Sequence, residues 1–75
     1  TIEYYLPTPS PVQIQIYNLR GQLVKKLVHE VQNSGTNRVV WNGVDNQGKL
    51  VASGVYFYEL QTRQVHLVRK MILLR

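Results

Sequence analysis

Few residues in this 75-residue chain have side chains that could carry out catalysis, and they are widely spaced. The candidate nucleophiles are serines beside proline or glycine, where serine is an ordinary turn residue: Ser10, Ser34 and Ser53. The candidate acids and bases are two histidines and four dispersed carboxylates: His29, His66, Glu3, Glu30, Asp45 and Glu59. General acid–base chemistry needs such groups within hydrogen-bond reach of a substrate proton. No two carboxylates are close in sequence, so we expect no catalytic residues and no enzyme.

The stretch DNQG (45–48) contains oxygen ligands of the kind with which a calcium loop begins. It lacks the later acidic residues that complete such a site, so a turn with Gly48 in the left-handed conformation is the simpler interpretation. The glycines at 43, 48 and 54 are too far apart to cradle a phosphate and precede no helical pattern. We therefore expect neither a metal nor a cofactor.

The net charge of +5 raises the question of a nucleic-acid or anionic-surface partner. The basic residues are scattered, with tight groups only at Lys25-Lys26 and Arg69-Lys70 and a further charge at Arg75. Because no nucleic-acid-binding motif accompanies them, we interpret them as aids to solubility and expect no nucleic-acid partner. No apolar run approaches the ~18 residues of a spanning helix. The chain begins at Thr1, and we expect a single domain cut from a longer protein. It contains no cysteine, which leaves its redox compartment open.

Short apolar stretches separated by turn residues predict an all-β protein. VQIQIY (12–17) alternates strictly, which is typical of a strand with one face in the core. Three prolines between positions 7 and 11 argue against a helix or a central strand there. The other predicted strands are IEYYL (2–6), LVKKLVHEV (23–31, extended and bulged), RVVW (38–41), VYFYEL (55–60) and VHLVRKMILL (65–74). Turn signals roughly every eight to twelve residues predict an antiparallel β-sandwich of about seven short strands with Greek-key connections.

Three consecutive aromatic residues in VYFYEL (55–60) suggest either a buried strand or an exposed platform for a ligand. Alternation places Tyr56, Tyr58 and Leu60 on one face, and we expect that face to pack inward with Trp41. Val55 and Phe57 then lie on the other face as a small apolar patch, which is a candidate contact for another protein domain.

Four stretches carry a resemblance to a known family: IEYYLP (2–7), VQIQIYNLRGQLVKKL (12–27), SGTNRVVWNGVDNQGKLVASGVYFYEL (34–60) and RKMILLR (69–75). In order and spacing they resemble the C-terminal immunoglobulin-like sorting domain of proteins exported by the bacterial type IX secretion system. The same pattern is similar to the immunoglobulin-like domain of the flagellar hook-capping protein. Its most specific pieces are WNG (41–43), the Asp and Gly of DNQG (45–48), SGVY (53–56) and KM (70–71).

The resemblance implies an immunoglobulin-like sandwich that acts as a sorting and anchoring module. Its expected partners are export-machinery proteins of the outer membrane and an upstream catalytic or adhesive domain of the same chain. Its expected location is secreted or on the cell surface, reached through the periplasm. A last strand that ends at the terminus offers an end for a receptor to recognise, so the candidate recognition segment comprises Lys70, Met71, Ile72, Leu73, Leu74 and Arg75. Basic side chains there would pair with an acidic partner surface.

Two other functions stay open at the level of sequence. The first is a structural spacer or hook-cap-like interaction domain that docks through Val55 and Phe57. The second is a carbohydrate-binding accessory domain of a secreted hydrolase, in which exposed aromatic rings stack on sugars. The carbohydrate hypothesis requires Tyr4, Tyr5, Tyr17 or Phe57 to line one flat exposed face.

Overall fold

A computed structural model describes residues 1–74, which form six β-strands and contain no helix. The strands are β1 (Ile2–Leu6), β2 (Ser10–Tyr17), β3 (Leu23–Gln32), β4 (Gly35–Val39), β5 (Gly54–Gln61) and β6 (His66–Leu73). Strands β1 and β4 pair in a two-stranded sheet, and the remaining strands form a four-stranded sheet in the order β3-β2-β5-β6. Every pairing is antiparallel. The fold is the antiparallel β-sandwich that the sequence predicts, with six strands in the described range instead of about seven.

Alternating residues of β1 and β2 build the core between the two sheets. On β2, Val12, Ile14 and Ile16 are almost completely buried, and they face the two-stranded sheet. On β1, Ile2 and Leu6 are buried on the opposite side of the core. Burying each such side chain contributes about 1.5–3 kcal/mol, which is the main source of stability in a domain without disulfides.

Two turns, one between β2 and β3 and the other between β4 and β5, have the same hydrogen-bond pattern. The side-chain oxygen Oδ1 of Asn18 accepts hydrogen bonds from the backbone N–H groups two and four residues later, at 2.9 and 3.0 Å. Oδ1 of Asp45 does the same, at 2.9 Å for both bonds. Gly21 and Gly48, three residues after each Asx residue, have φ of 77° and 80°, a conformation that glycine adopts without strain. The interpretation of DNQG as a turn with a left-handed glycine is confirmed.

The bounds of β3, β5 and β6 differ from the sequence prediction by one residue at one or both ends, and those of β2 and β4 differ by two or three. Strand β2 begins at Ser10 and includes Pro11, although the prolines argued against a central strand there. At Pro11, β2 pairs with β3 but not with β5. The proline can therefore be accommodated, because its missing N–H is not needed for a hydrogen bond to a second neighbour. Strand β4 begins at Gly35, three residues before the predicted start at Arg38, and ends at Val39, two residues before the predicted end. Trp41 therefore lies outside the strand to which it was assigned.

Candidate functional site

Two of the potential acids and bases, His66 and Glu59, belong to one hydrogen-bonded group on the outer face of the four-stranded sheet. His66 lies 2.8 Å from Glu59, and the Tyr17 hydroxyl donates to the same carboxylate at 3.3 Å. The Tyr17 hydroxyl also contacts Gln15 on its own strand. Burial, and then the negative charge of Glu59, raise the pKa of Tyr17. This network ties β2, β5 and β6 together across the outer face of the four-stranded sheet. Within residues 1–74, no three histidine, aspartate or glutamate side chains are grouped as metal ligands.

Trp41 and Tyr56 are structural and do not form a ligand platform. Both side chains are buried, and their rings pack edge to face with centroids 5.1 Å apart. The Trp41 Nε1–H donates to the carbonyl of Val44 at 2.8 Å, and the Tyr56 hydroxyl donates to the carbonyl of Ala52 at 2.7 Å. The expectation that Tyr56 packs inward with Trp41 is confirmed. The WNG and SGVY stretches thus fix the long connection between β4 and β5.

The loop that contains Asp45 covers the free edge of β3. Asn46 accepts a hydrogen bond from the backbone N–H of Lys26 at 2.9 Å, and its own N–H donates to the carbonyl of Val24 at 3.0 Å. Backbone N–H donation from Lys49, followed by that from Gln47, lowers the pKa of Asp45. The carboxylate is thus an acceptor for the backbone of its own turn.

Within residues 1–74, strand β6 has no such cover and pairs only with β5. Eight consecutive residue pairs run from Gly54 opposite Leu73 to Gln61 opposite His66 without a register shift. The pairing of β3 with β2, in contrast, contains two register shifts. Each second residue of a free edge directs its N–H and C=O away from the sheet, so β6 presents a continuous row of unpaired backbone groups.

The candidate recognition segment has two kinds of side chain. Met71 and Leu73 are half-buried and pack against the core, whereas Lys70, Ile72 and Leu74 are exposed. Arg75 lies outside the described residues. Arg69 was not included in the predicted recognition segment. It pairs with Tyr58 and therefore shares the core-facing side of β6 with Met71. Its position directly before Lys70 was the sequence feature that could have added it to the segment.

An open groove of about 380 Å³ lies between β1 and β6. Tyr58, Leu60 and Leu67 line it from the four-stranded sheet, together with Arg69, and Tyr5 lines it from β1. The groove arises because the two-stranded sheet has no third strand beside β1.

The predicted patch residues Val55 and Phe57 lie on the outer face of the four-stranded sheet. Tyr17 pairs with Phe57, and Ile72 pairs with Val55, so these four side chains occupy neighbouring positions on that face. We call them the outer-face patch. Val55, Phe57 and Tyr17 are half-buried, and Ile72 is exposed.

The aromatic residues named by the carbohydrate hypothesis do not share one flat face. Tyr4 is buried in the core, and its hydroxyl contacts Gln32. Tyr5 is 70% exposed but lies on the two-stranded sheet, whereas Tyr17 and Phe57 belong to the other sheet. The four rings therefore form no single platform, and Tyr17 and Phe57 are the pair among them that shares a face.

The described residues contain no helix that is long and apolar enough to cross a membrane. The family model of the FlgD Ig-like domain matches residues 1–64. No curated protein and no solved structure shows a significant match.

Proposed function

Because the chain belongs to the FlgD Ig-like domain family, we propose that it is a non-enzymatic module that a protein partner recognises. We propose specifically that it sorts a secreted cargo through the outer membrane by the type IX secretion system. Its partners would be outer-membrane export proteins, and the cargo would reach the cell surface or the medium through the periplasm. Immunoglobulin-like domains are generally not catalytic, and their functions depend on the surfaces that they expose.

The observation that carries the proposal is the exposure of β6. This last strand is a regular sheet edge, and the segment from Lys70 to Leu74 alternates between side chains that hold the core and side chains that face solvent. The recognition element is therefore anchored to a rigid sheet while its outer side chains and backbone edge stay accessible.

A reporter assay tests the sorting function. Residues 1–75 with their native upstream linker are fused behind a periplasm-directed fluorescent protein. The fusion is expressed in a bacterium with type IX machinery and in the same strain without it. We expect fluorescence on the surface or in the medium only when the machinery is present. Equal retention in the periplasm of both strains would contradict the sorting function.

Point variants test the role of the segment better than a truncation does. Deleting Met71 to Arg75 would remove core side chains, so loss of export could follow from unfolding alone. Ile72→Ser with Leu74→Ser changes side chains that are 63% and 83% exposed. We expect this pair to block export.

The matched control is Leu19→Ser with Val31→Ser, which changes side chains that are 70% and 67% exposed outside β6. We expect the control to be exported normally. Export of both pairs, with unchanged thermal unfolding, would show that the terminal segment is not recognised.

The family match and the outer-face patch favour a second candidate, a hook-cap-like structural domain that packs against another protein domain. In that case Phe57→Ala should weaken self-association, or docking to the parent protein, as measured by sedimentation velocity. Tyr5→Ala is the control, because Tyr5 is exposed on the other sheet. A strictly monomeric domain whose docking is unaffected by Phe57→Ala would count against this candidate.

A further inference from the structure

We propose that the free edge of β6 binds an extended acidic segment of a partner protein as an added β-strand. Arg69 and Lys70 would provide the charge that selects this segment. The inference rests on the proposed function, because it describes how the partner would read β6. It goes further in naming the chemistry of the partner and the mode of binding.

The backbone of β6 is suited to strand addition because nothing interrupts or covers its outer edge. Its ladder with β5 is continuous over eight pairs. Edge pairing is usually blocked by bulges, covering loops, prolines and charged side chains. On β3, both register shifts and the loop at Asn46 are present. The described part of β6 has no bulge, covering loop or proline, and its edge charges are the basic side chains of Arg69 and Lys70, which oppose a basic strand but not an acidic one.

The groove between β1 and β6 offers space for the inward side chains of an added strand. Successive side chains of a strand point to opposite faces, so half of them would enter the groove beside Leu67 and Tyr58. Burial of apolar side chains there would extend the core beyond the area that the two-stranded sheet covers. The remaining side chains would lie next to Val68 and Ile72 on the outer face, which are 53% and 63% exposed.

The charge of β6 determines which segment fits. Arg69 faces the groove, and Lys70 faces the outer surface. Neither side chain forms an ion pair with any residue from 1 to 74, and β6 contains no acidic residue. An added strand that carries two adjacent carboxylates would place one beside each cation, because adjacent side chains point to opposite faces.

The same two cations disfavour a second copy of the chain as the added strand. Full antiparallel pairing of two β6 strands from His66 to Leu73 would place Arg69 opposite Lys70 of the second copy, twice. Like charges directly opposite each other destabilise a strand pair. The arrangement thus combines attraction for an acidic strand with rejection of self-pairing, which is how specific interfaces discriminate between partners.

Peptide binding tests the inference directly. The probe is a blocked peptide about ten residues long, of alternating threonine and valine with two adjacent glutamates at its centre. We expect it to change the NMR shifts of the β6 amides and to slow their hydrogen exchange. A peptide with two lysines in place of the glutamates should bind roughly tenfold more weakly, since each exposed ion pair contributes little. N-methylation of alternate peptide amides should abolish binding if an added ladder forms.

Charge reversal on the two sheet edges supplies the matched variants. Arg69→Glu with Lys70→Glu should reverse the preference from the glutamate peptide to the lysine peptide. Lys25→Glu with Lys26→Glu makes the same change in net charge on β3 and should leave the preference unchanged.

Three outcomes would overturn the inference: no binding of the glutamate peptide, shifts that map to β3 or the outer-face patch, or equal binding of the N-methylated peptide. The reporter assay separates this failure from failure of the sorting function. Export without peptide binding would leave sorting intact and reject strand addition. Peptide binding without machinery-dependent export would support strand addition and reject sorting.

Discussion

Strands β3 and β6 form the two edges of one four-stranded sheet, and they are protected very differently. The β3 edge contains two register shifts and receives hydrogen bonds to and from Asn46. The β6 edge continues without a shift along the whole of β5 and has no covering loop in the described range. Both edges carry adjacent basic residues, Lys25-Lys26 and Arg69-Lys70. The basic residues alone therefore do not distinguish the protected edge from the open one.

The difference shows what the most distinctive sequence motifs do. WNG, DNQG and SGVY hold the connection between β4 and β5 in the position that covers β3. Their residues are engaged in bonds within the domain, so they explain the fold and not the recognition. The partner surface that we propose lies on the opposite edge, where KM (70–71) is the one distinctive motif.

The largest loss of stability is expected from truncating Trp41, which holds the connection that covers β3. Trp41→Ala should lower the free energy of unfolding by about 3–5 kcal/mol, because it empties the space beside Tyr56 and releases the carbonyl of Val44. Denaturant unfolding measures this loss. Trp41→Phe, which keeps a ring in the core but lacks the N–H, should cost less. An unchanged melting temperature for Trp41→Ala would show that the side chain does not support the core.

A smaller effect is expected when only the cover of β3 is removed. Asn46→Ala removes the acceptor for the Lys26 N–H and should cost about 1 kcal/mol. Hydrogen exchange of the Lys26 amide should accelerate toward that of the outward amides of β6, which would make the two edges alike. Gln47→Ala is the control, since only its backbone N–H takes part in the turn. Unchanged exchange at Lys26 in the Asn46 variant would mean that the loop does not protect this edge.

The smallest effect is expected on the pH dependence of stability, through the carboxylate of Asp45. Hydrogen bonds from Lys49 and Gln47 lower the pKa of Asp45 below its ordinary value of 3.8. The folded state therefore prefers the ionised form, so this stabilisation is present above pH 3.8 and is lost as the pH falls through the lowered pKa. Asp45→Asn keeps the side-chain acceptor, as Asn18 does in the equivalent turn.

The Asp45→Asn variant should accordingly lose less of its melting temperature than the wild type when acidified through this range. Melting curves of both proteins at matched pH values measure the difference. Identical acid sensitivity would show that the Asp45 carboxylate contributes nothing to the pH dependence.

Local pattern predicted much of the fold but not the order of the strands. The bounds of β1 follow from strand-forming residues that end at Pro7, and the inward face of Tyr56 follows from alternation; both are confirmed. The bulged β3 was also predicted: Leu23, Leu27 and Val31 have the spacing of a helix, but the stretch is short and strand signals flank it. Trp41 was misplaced because RVVW has strand-forming residues, whereas its actual position depends on contacts with Tyr56 and Val44.

The open edge could not be predicted, because edge position depends on which strands pair across the whole chain. VHLVRKMILL has no local feature that shows whether one or two neighbours flank it. Arg69 is the partial exception, since a charged residue on the core-facing side of an otherwise apolar strand indicates incomplete coverage.

The most direct test of the account compares export of the reporter carrying charge reversals on each edge. Arg69→Glu with Lys70→Glu alters β6, and Lys25→Glu with Lys26→Glu alters β3 by the same charge. If an outer-membrane partner reads β6, the β6 variant stays in the periplasm and the β3 variant is exported like the wild type. Normal export of the folded β6 variant, or equal retention of both folded variants, would contradict the claim that β6 is the recognised edge.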